Sequence, residues 1–323
     1  MTESTPSRRS LLGAAGIALA ATGCLVVAPQ NKDKGASPDG SAAAGGSTAE
    51  PRRRAAAAGD GGAQPGRTPN TRFAVNAEMW FRDLPFAERI DAAADLGFPA
   101  VEFWNTEGKD LSAIASRSAA REVEISQFTA WGFAPGLNDA RNHDAFEKRI
   151  RESCDIADQL SARKATVVAG NDIVGMEQEE MLDNVRAGLQ RVAPIVEDRG
   201  LMLILEPMNI RVDHKGHCLY GSADALRICR EINSPMVKIN WDLYHMQIEE
   251  GDLTGHLKEG IDQVGYVQLA DHPGRNEPGT GEVNYARVLS ELKRLRYTDF
   301  VGLECWPTDD IAAARAVFRA DSW

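Results

Sequence analysis

From residue 71 to the C-terminus, short apolar segments alternate with longer amphipathic ones. The apolar segments predict strands at 73–76, 100–104, 124–128, 165–169, 201–206, 237–242, 266–268 and 301–304. The amphipathic segments predict helices at 84–96, 143–160, 177–199, 222–232, 253–261, 284–295 and 309–318. Repeated strand–helix–strand units imply a parallel sheet. Eight strands in about 250 residues predict an α/β fold of the closed (β/α)8 TIM-barrel type rather than an open sheet.

Four of the predicted strands end on a carboxylate or an amide. These residues are Glu206, Asp242, Gln268 and Glu304, with separations of 36, 26 and 36 residues. The carboxyl ends of barrel strands converge on the face where barrel enzymes carry their active sites. Three carboxylates and one amide oxygen form a ligand set for a hard divalent cation such as Mg2+, Mn2+ or Co2+. The sequence therefore predicts a metal-dependent enzyme.

Each of these residues also has a structural interpretation when it is taken alone. A strand-end glutamate such as Glu206 or Glu304 can form a buried salt bridge, because a carboxylate in an apolar strand needs a partner. Asp242, between a strand and a helix, can be an N-cap. Gln268 can bond to backbone. Their recurrence at the ends of four strands favours metal ligation.

Other polar residues lie close to these strand ends in the sequence. His245 is three residues past Asp242 and is predicted to reach a substrate oxygen; the alternative is a structural histidine. Arg275 lies in a Gly- and Pro-rich loop that is expected to cover the barrel mouth. It is a candidate clamp for a substrate carboxylate, or else a solvated arginine. Asp213 and His214 are predicted to line the same mouth.

The N-terminal segment has the features of an export signal. Arg8 and Arg9 form a twin-arginine pattern before a short apolar stretch, which predicts a twin-arginine signal over 1–28. Cys24 closes a lipoprotein-like box and is a candidate lipidation site; cleavage nearby, with loss of Cys24, is the alternative. Residues 29–70 predict a disordered linker, because they have no apolar periodicity. The prediction is an exported protein in the cell envelope or outside the cell, tethered to the membrane if Cys24 is lipidated.

Net charge and the absence of certain motifs argue against nucleic-acid partners and nucleotide cofactors. The net charge of −11 argues against a nucleic-acid partner, which favours a basic face. No Gly-x-Gly-x-x-Gly follows a strand and no Walker-type loop is present, so no nucleotide cofactor is expected. The five cysteines form no CxxC and no disulfide framework, and Cys154 and Cys229 are predicted to be small core residues on helices.

Several motifs identify the chain as similar to the hydroxypyruvate isomerase family, within the xylose-isomerase-like TIM-barrel sugar isomerases and epimerases. They are Leu-Glu-Pro-Met-Asn (205–209), Trp-Asp-Leu-Tyr-His-Met-Gln (241–247), Gln-Leu-Ala-Asp-His-Pro-Gly-Arg (268–275) and Gly-Leu-Glu-Cys-Trp-Pro (302–307). The resemblance covers residues 72–323. It implies that Glu206 and Glu304 are the acid/base pair and that these two residues, Asp242 and Gln268 hold the metal.

The resemblance implies conversion of hydroxypyruvate to tartronate semialdehyde through an enediolate. A ketose 3-epimerase, or an isomerase of another small sugar or sugar acid, is the alternative. Gln268 favours the isomerases, since related epimerases have a histidine there. A non-catalytic exported sugar-binding protein is a remote alternative, against which the two glutamates argue. A nuclease needs several histidine ligands, and none of the six histidines occupies a strand end. Relatives often associate, so a homo-oligomer stays open.

Overall fold

A computed structural model describes residues 60–323, in which eight parallel strands close into one barrel. The strands are β1 (Phe73–Asn76), β2 (Ala100–Glu102), β3 (Glu124–Trp131), β4 (Lys164–Val168), β5 (Met202–Glu206), β6 (Val237–Asp242), β7 (Val264–Leu269) and β8 (Val301–Leu303). Each strand pairs with its sequence neighbours, and β1 pairs with β8 through Phe73 and Val301. The predicted TIM barrel is confirmed.

Nine α-helices surround the barrel in the part of the chain that is described. They are α1 (Glu88–Asp95), α2 (Leu111–Arg121), α3 (His143–Leu160), α4 (Gln178–Arg199), α5 (Ser222–Ile232), α6 (Leu243–Glu249), α7 (Leu253–Gly260), α8 (Tyr285–Arg294) and α9 (Asp310–Asp321). The sequence prediction missed α2 and α6. Helix α2 buries only Ile114, so its apolar periodicity is weak. Helix α6 buries four consecutive residues, 243–246, so it has no polar face to mark a helical period.

Strand ends, rather than strand interiors, differ from the prediction. Strand β3 runs three residues beyond the predicted end, to Trp131. Strands β2 and β8 end earlier than predicted, so Trp104 and Glu304 lie just past the last paired residues. Both side chains therefore project from the carboxyl end of the barrel, where backbone pairing has stopped.

The amino-terminal end of the described chain is bound to the barrel. The carboxylate of Asp321, at the end of α9, accepts hydrogen bonds from the backbone N–H groups of Asn70 (2.7 Å) and Thr71 (3.0 Å). Gly66 is buried and donates its N–H to the carbonyl of Leu96 at 2.8 Å. The prediction of a disordered linker is therefore wrong for residues 64–70, because tertiary contacts order a segment that has no apolar period of its own.

The other predictions for the N-terminus, namely the signal at 1–28, lipidation of Cys24 and the linker to residue 59, lie outside the described residues. Within residues 60–323, no helix combines the length and the apolar character that crossing a membrane requires.

The four cysteines of the described chain are free thiols buried in the core. Cys154 and Cys229 lie on the inner faces of α3 and α5, as predicted. Burial raises the pKa of the Cys229 thiol to about 12. These thiols are therefore protonated, apolar side chains of the core.

Candidate active site

The carboxyl end of the barrel brings four ionisable side chains to one point. Glu206 ends β5, Asp242 ends β6, Glu304 follows β8, and His245 lies in the first turn of α6. One ligand atom from each residue lies within 4.8 Å of the others, and all four residues are buried. Residues that are 98 positions apart in the chain are thus held in contact by strand convergence.

Asp242 serves two purposes with its two oxygens. Its Oδ1 accepts the backbone N–H of Tyr244 at 2.8 Å and caps α6. Its Oδ2 is buried and has no hydrogen-bond partner. Both interpretations of Asp242 in the sequence, an N-cap and a candidate ligand, are therefore compatible, because each uses a different oxygen.

The buried carboxylates repel one another. Burial, followed by the charges of Glu304 and Asp242, raises the pKa of Glu206 well above its ordinary value. Burial and the Glu304 charge likewise raise the pKa of Asp242 to about 8. A divalent cation between these groups would remove the repulsion, and oxygen donors are the ligands that a hard cation prefers. The residues therefore fit such an ion.

Arg275 is the cation that the structure places against this cluster. Its Nη2 donates to Glu304 Oε2 at 2.8 Å and lies 3.7 Å from Asp242 Oδ2, and its guanidinium covers the Tyr244 ring. The predicted loop does cover the mouth, and the Asp271 carboxylate organises it by accepting the N–H groups of Gly279 (2.8 Å) and residue 283 (3.1 Å). Arg275 thus lies in the pocket wall rather than in solvent.

The protonation of His245 follows from its neighbour Asn209. The Oδ1 of Asn209 accepts the backbone N–H groups of Val212 (3.1 Å) and Asp213 (3.0 Å). Its Nδ2 therefore faces His245 Nδ1, at 2.7 Å, and must donate to it. Burial lowers the pKa of His245 well below its ordinary value, so the ring is neutral and carries its proton on Nε2. That N–H points at the carboxylates, 3.5 Å from Asp242 Oδ2. His245 is a donor, as required for binding a substrate oxygen, and not a free metal ligand.

The remaining predicted residues divide between the cavity and its surroundings. Gln268 is buried near the end of β7, and its Oε1 accepts from Asn240 Nδ2 at 2.5 Å. His214 lines the cavity and stacks on Phe133 at 5.0 Å. Asp213 is exposed; its carboxylate accepts from Asn209, and it lies outside the cavity lining.

A cavity of about 420 Å³ opens above the carboxylates. One wall is polar, with Glu206, Glu304, His245 and Arg275; the other includes Trp104 and Phe133, each 36% exposed. Sequence reasoning missed both aromatic residues, because an aromatic beside a strand is usually core. It also missed Asn209 and Glu102. Glu102 is a further buried carboxylate at a strand end, but the sequence predicted β2 to run to residue 104, which placed Glu102 inside the strand.

The indole of Trp104 bonds directly to a proposed catalytic group. Its Nε1–H donates to Glu304 Oε1 at 2.7 Å. A hydrogen bond to a charged group contributes about 1.5–3 kcal/mol. We expect Trp104→Phe to lower kcat about tenfold or more, with a smaller change in KM, because the Glu304 carboxylate loses the bond that orients it. Steady-state kinetics of this variant beside Trp306→Phe, which leaves that bond intact, tests the prediction; equal kcat values in both variants would contradict it.

His217, whose ring contacts that of Phe133, is expected to make the free energy of unfolding fall at acid pH. Burial lowers its pKa to about 3, and neither ring nitrogen has a hydrogen-bond partner. The unfolded chain binds this proton below about pH 6.5 and the folded chain does not, so stability is full above that pH and is lost as pH falls towards 3. The contribution to the slope is up to about 1.4 kcal/mol per pH unit. His217→Leu should reduce the slope of unfolding free energy against pH by that amount. The free energies are measured by urea denaturation at a series of pH values, and equal slopes for the two proteins would contradict the prediction.

Comparison with known proteins agrees with the fold. The sequence profile of the xylose isomerase-like TIM barrel family matches residues 90–320. The chain therefore belongs to this family. Hydroxypyruvate isomerase of Escherichia coli K12 is 29% identical over 242 residues, covering 73% of this chain and 93% of that protein. The 2-oxo-tetronate isomerase of Cupriavidus necator is 30% identical, with the same coverage of each chain. The resemblance inferred from the motifs is confirmed, and the protein is an isomerase.

Solved structures show the same architecture. A protein described as an AP endonuclease, family 2, from Brucella melitensis is 26% identical with a TM-score of 0.71, over 75% of this chain and 96% of that one. An L-ribulose 3-epimerase is 20% identical with a TM-score of 0.65, over 77% and 92%. At that identity the second similarity concerns the fold alone.

Proposed function

We propose that this protein is a divalent-metal-dependent isomerase that converts hydroxypyruvate to tartronate semialdehyde through an enediolate. The observation that carries the proposal is the convergence of Glu206 and Glu304, from β5 and β8, beside the proton-bearing Nε2 of His245. Two carboxylates on different strands can hold and return a proton at adjacent carbons of one planar intermediate. Relatives named hydroxypyruvate isomerase support the choice of substrate.

The residues that would hold the ion are Glu206, Asp242, Gln268 and Glu304. When bound, Mg2+, Mn2+ or Co2+ supplies a positive charge that stabilises the oxygens of the enediolate. The buried, unpartnered Oδ2 of Asp242 supports this ligand set. His245 is better suited to donate to substrate, because its Nε2 carries the proton.

The residues of the chain then perform the proton transfers. One of the two glutamates removes a proton from C3 of hydroxypyruvate, and the other protonates C2, while the hydroxyl proton moves from O3 to O2. His245 donates its Nε2–H to a substrate oxygen during this shift. Arg275, the only Arg or Lys among the residues that line the described cavity, binds the substrate carboxylate.

Epimerisation at C3 of a ketose is the second candidate. A cavity of about 420 Å³ admits a substrate longer than a three-carbon acid. The same two glutamates could then exchange a proton on opposite faces of one carbon. The choice depends on the length of substrate that the wall with Trp104 and Phe133 accepts.

Proton NMR in D2O distinguishes these reactions. The protein is loaded with Mg2+ and incubated separately with hydroxypyruvate and with a panel of ketoses. Deuterium at C3 of hydroxypyruvate, with tartronate semialdehyde appearing, is the expected result. Exchange at C3 of a ketose, with hydroxypyruvate inert, would replace the isomerase proposal by the epimerase. Exchange in neither would refute both substrates.

We also propose that the protein is exported by the twin-arginine route and is tethered through Cys24. Arg8, Arg9 and the apolar stretch that follows support this proposal. Changing both arginines to lysine should retain the protein in the cytoplasm, and Cys24→Ser should release it from the membrane fraction. Unchanged fractionation in either variant would contradict the corresponding step.

A further inference from the structure

Glu102 is a buried carboxylate that the mechanism above does not use. It is the last residue of β2 and is fully buried. Its Oε1 accepts two hydrogen bonds, from Asn76 Nδ2 at 3.1 Å and from Gln268 Nε2 at 2.8 Å. The second donor belongs to a residue proposed to bind the metal, so Glu102 is in direct contact with the ligand set.

The barrel makes room for this contact at Gly302. A Cβ at this position of β8 would lie 2.3 Å from Glu102 Oε2 and 2.9 Å from Gln268 Cγ. Any side chain there would displace both residues. The glycine in the Val-Gly-Leu-Glu motif therefore keeps Glu102 and Gln268 in contact across β8.

Neighbouring atoms determine the orientation of the Asn76 and Gln268 amides. Asn76 Oδ1 accepts the backbone N–H of Glu78 at 3.0 Å, so its Nδ2 is the group that faces Glu102. The Glu102 Oε1 atom is thus an acceptor that draws Gln268 Nε2 towards it. Gln268 Oε1 then lies on the opposite side, where it accepts from Asn240 Nδ2 at 2.5 Å, and Gln268 is the register partner of Asp242 across β6 and β7.

We propose that Glu102 is a positioning residue that holds the Gln268 amide with its oxygen turned towards the cation site. This inference rests on the proposed metal dependence. A glutamine can bind a cation only through its oxygen, and the two ends of the amide have nearly the same shape. Without an acceptor at position 102, the amide can rotate together with that of Asn240, whose Oδ1 has no hydrogen-bond partner, and present its NH2 group, which repels a cation. Outer partners of metal ligands commonly change metal affinity by about 10–100-fold.

The test is the Mn2+ dissociation constant of the full chain, measured by titration calorimetry. Glu102→Met, which removes the acceptor but keeps the side-chain length, is expected to weaken binding by about 10–100-fold. Glu102→Gln can turn its own oxygen to Asn76 and Gln268, so it should bind Mn2+ nearly as well as the wild type. In a Gln268→Met background, Glu102→Met should have little further effect, because no amide remains to be oriented.

Each other outcome would overturn the inference in an identifiable way. Equal Mn2+ affinity of Glu102→Met and wild type would refute the positioning role alone. Equal weakening of Mn2+ binding by Glu102→Gln and Glu102→Met would show that the negative charge of Glu102, and not its ability to accept a hydrogen bond, controls Mn2+ affinity. The same loss in the Gln268→Met background would indicate a general structural effect. Wild-type protein that binds no Mn2+ would refute the metal proposal and this inference together. Thermal unfolding checks the fold of each variant, and Glu102→Leu replaces Glu102→Met if the latter does not fold.

Discussion

Replacing Glu304 with glutamine is expected to lower kcat/KM about 1,000-fold while the protein still folds and binds substrate. The variant keeps one oxygen, which can still accept from Trp104, while its NH2 group replaces the oxygen that accepts from Arg275, and it cannot hold or return a proton. General acid–base catalysis by one side chain typically contributes about 100- to 10,000-fold. The loss should therefore appear mainly in kcat, since the groups that bind substrate, His245 and Arg275, remain.

Solvent exchange separates this effect from a binding defect. Deuterium incorporation at C3 of hydroxypyruvate should fall together with turnover in Glu304→Gln. Glu282→Gln, which neutralises an exposed glutamate in the loop that covers the mouth, is the matched control and should retain full activity. Undiminished turnover in Glu304→Gln would show that Glu304 is not one of the proton-transferring groups. If both variants and the wild type were inert, the non-catalytic sugar-binding alternative would gain support.

Asp242→Asn is expected to abolish stabilisation by Mn2+. A ligand present at about 100 times its Kd, and bound only to the folded state, raises the free energy of unfolding by about 2.7 kcal/mol. The wild type should show such a shift. The variant should not, because an NH2 group replaces the unpartnered Oδ2. Its remaining oxygen can still cap α6 through the N–H of Tyr244, so the helix is retained.

In the metal-free protein, Asp242→Asn is expected to raise stability rather than lower it. Neutralising one of three crowded carboxylates removes part of their repulsion, so metal-free Asp242→Asn should unfold at a higher temperature than metal-free wild type. Asp172→Asn, an exposed carboxylate in the loop after β4, is the control and should follow the wild type with and without Mn2+. Equal Mn2+ shifts in Asp242→Asn and wild type would exclude Asp242 as a ligand.

The positions of the carboxylates were predictable from sequence because a parallel barrel has a simple geometry. An apolar run that ends on Glu206 or Asp242 places that side chain at the carboxyl end of its strand, and all such ends meet on one face. The rule needs only strand order and spacing. It failed for Glu102 because the sequence predicted that β2 runs to residue 104, whereas the strand ends at Glu102.

The partners of these side chains were not predictable in the same manner. Trp104 follows a buried phenylalanine and has the sequence context of a core residue, yet its indole reaches Glu304, 200 positions away. Helix α6 was missed because its buried residues are consecutive and do not alternate with polar residues at helical spacing. Residues 64–70 were predicted as linker because their order depends on Asp321 and Leu96, which lie elsewhere in the chain.

The sequence by itself determined the barrel, the acidic residues at its strand ends and the end of the barrel at which they gather. These depend on local periodicity and on strand order, which a single chain carries. Only the tertiary structure decided which atoms face one another: that Asn209 places the proton of His245 on Nε2, that Arg275 pairs with Glu304, and that Glu102 turns the amide of Gln268. Hydrogen-bond direction depends on the atoms at both ends of each bond, and in this site those atoms come from segments that are distant in the sequence.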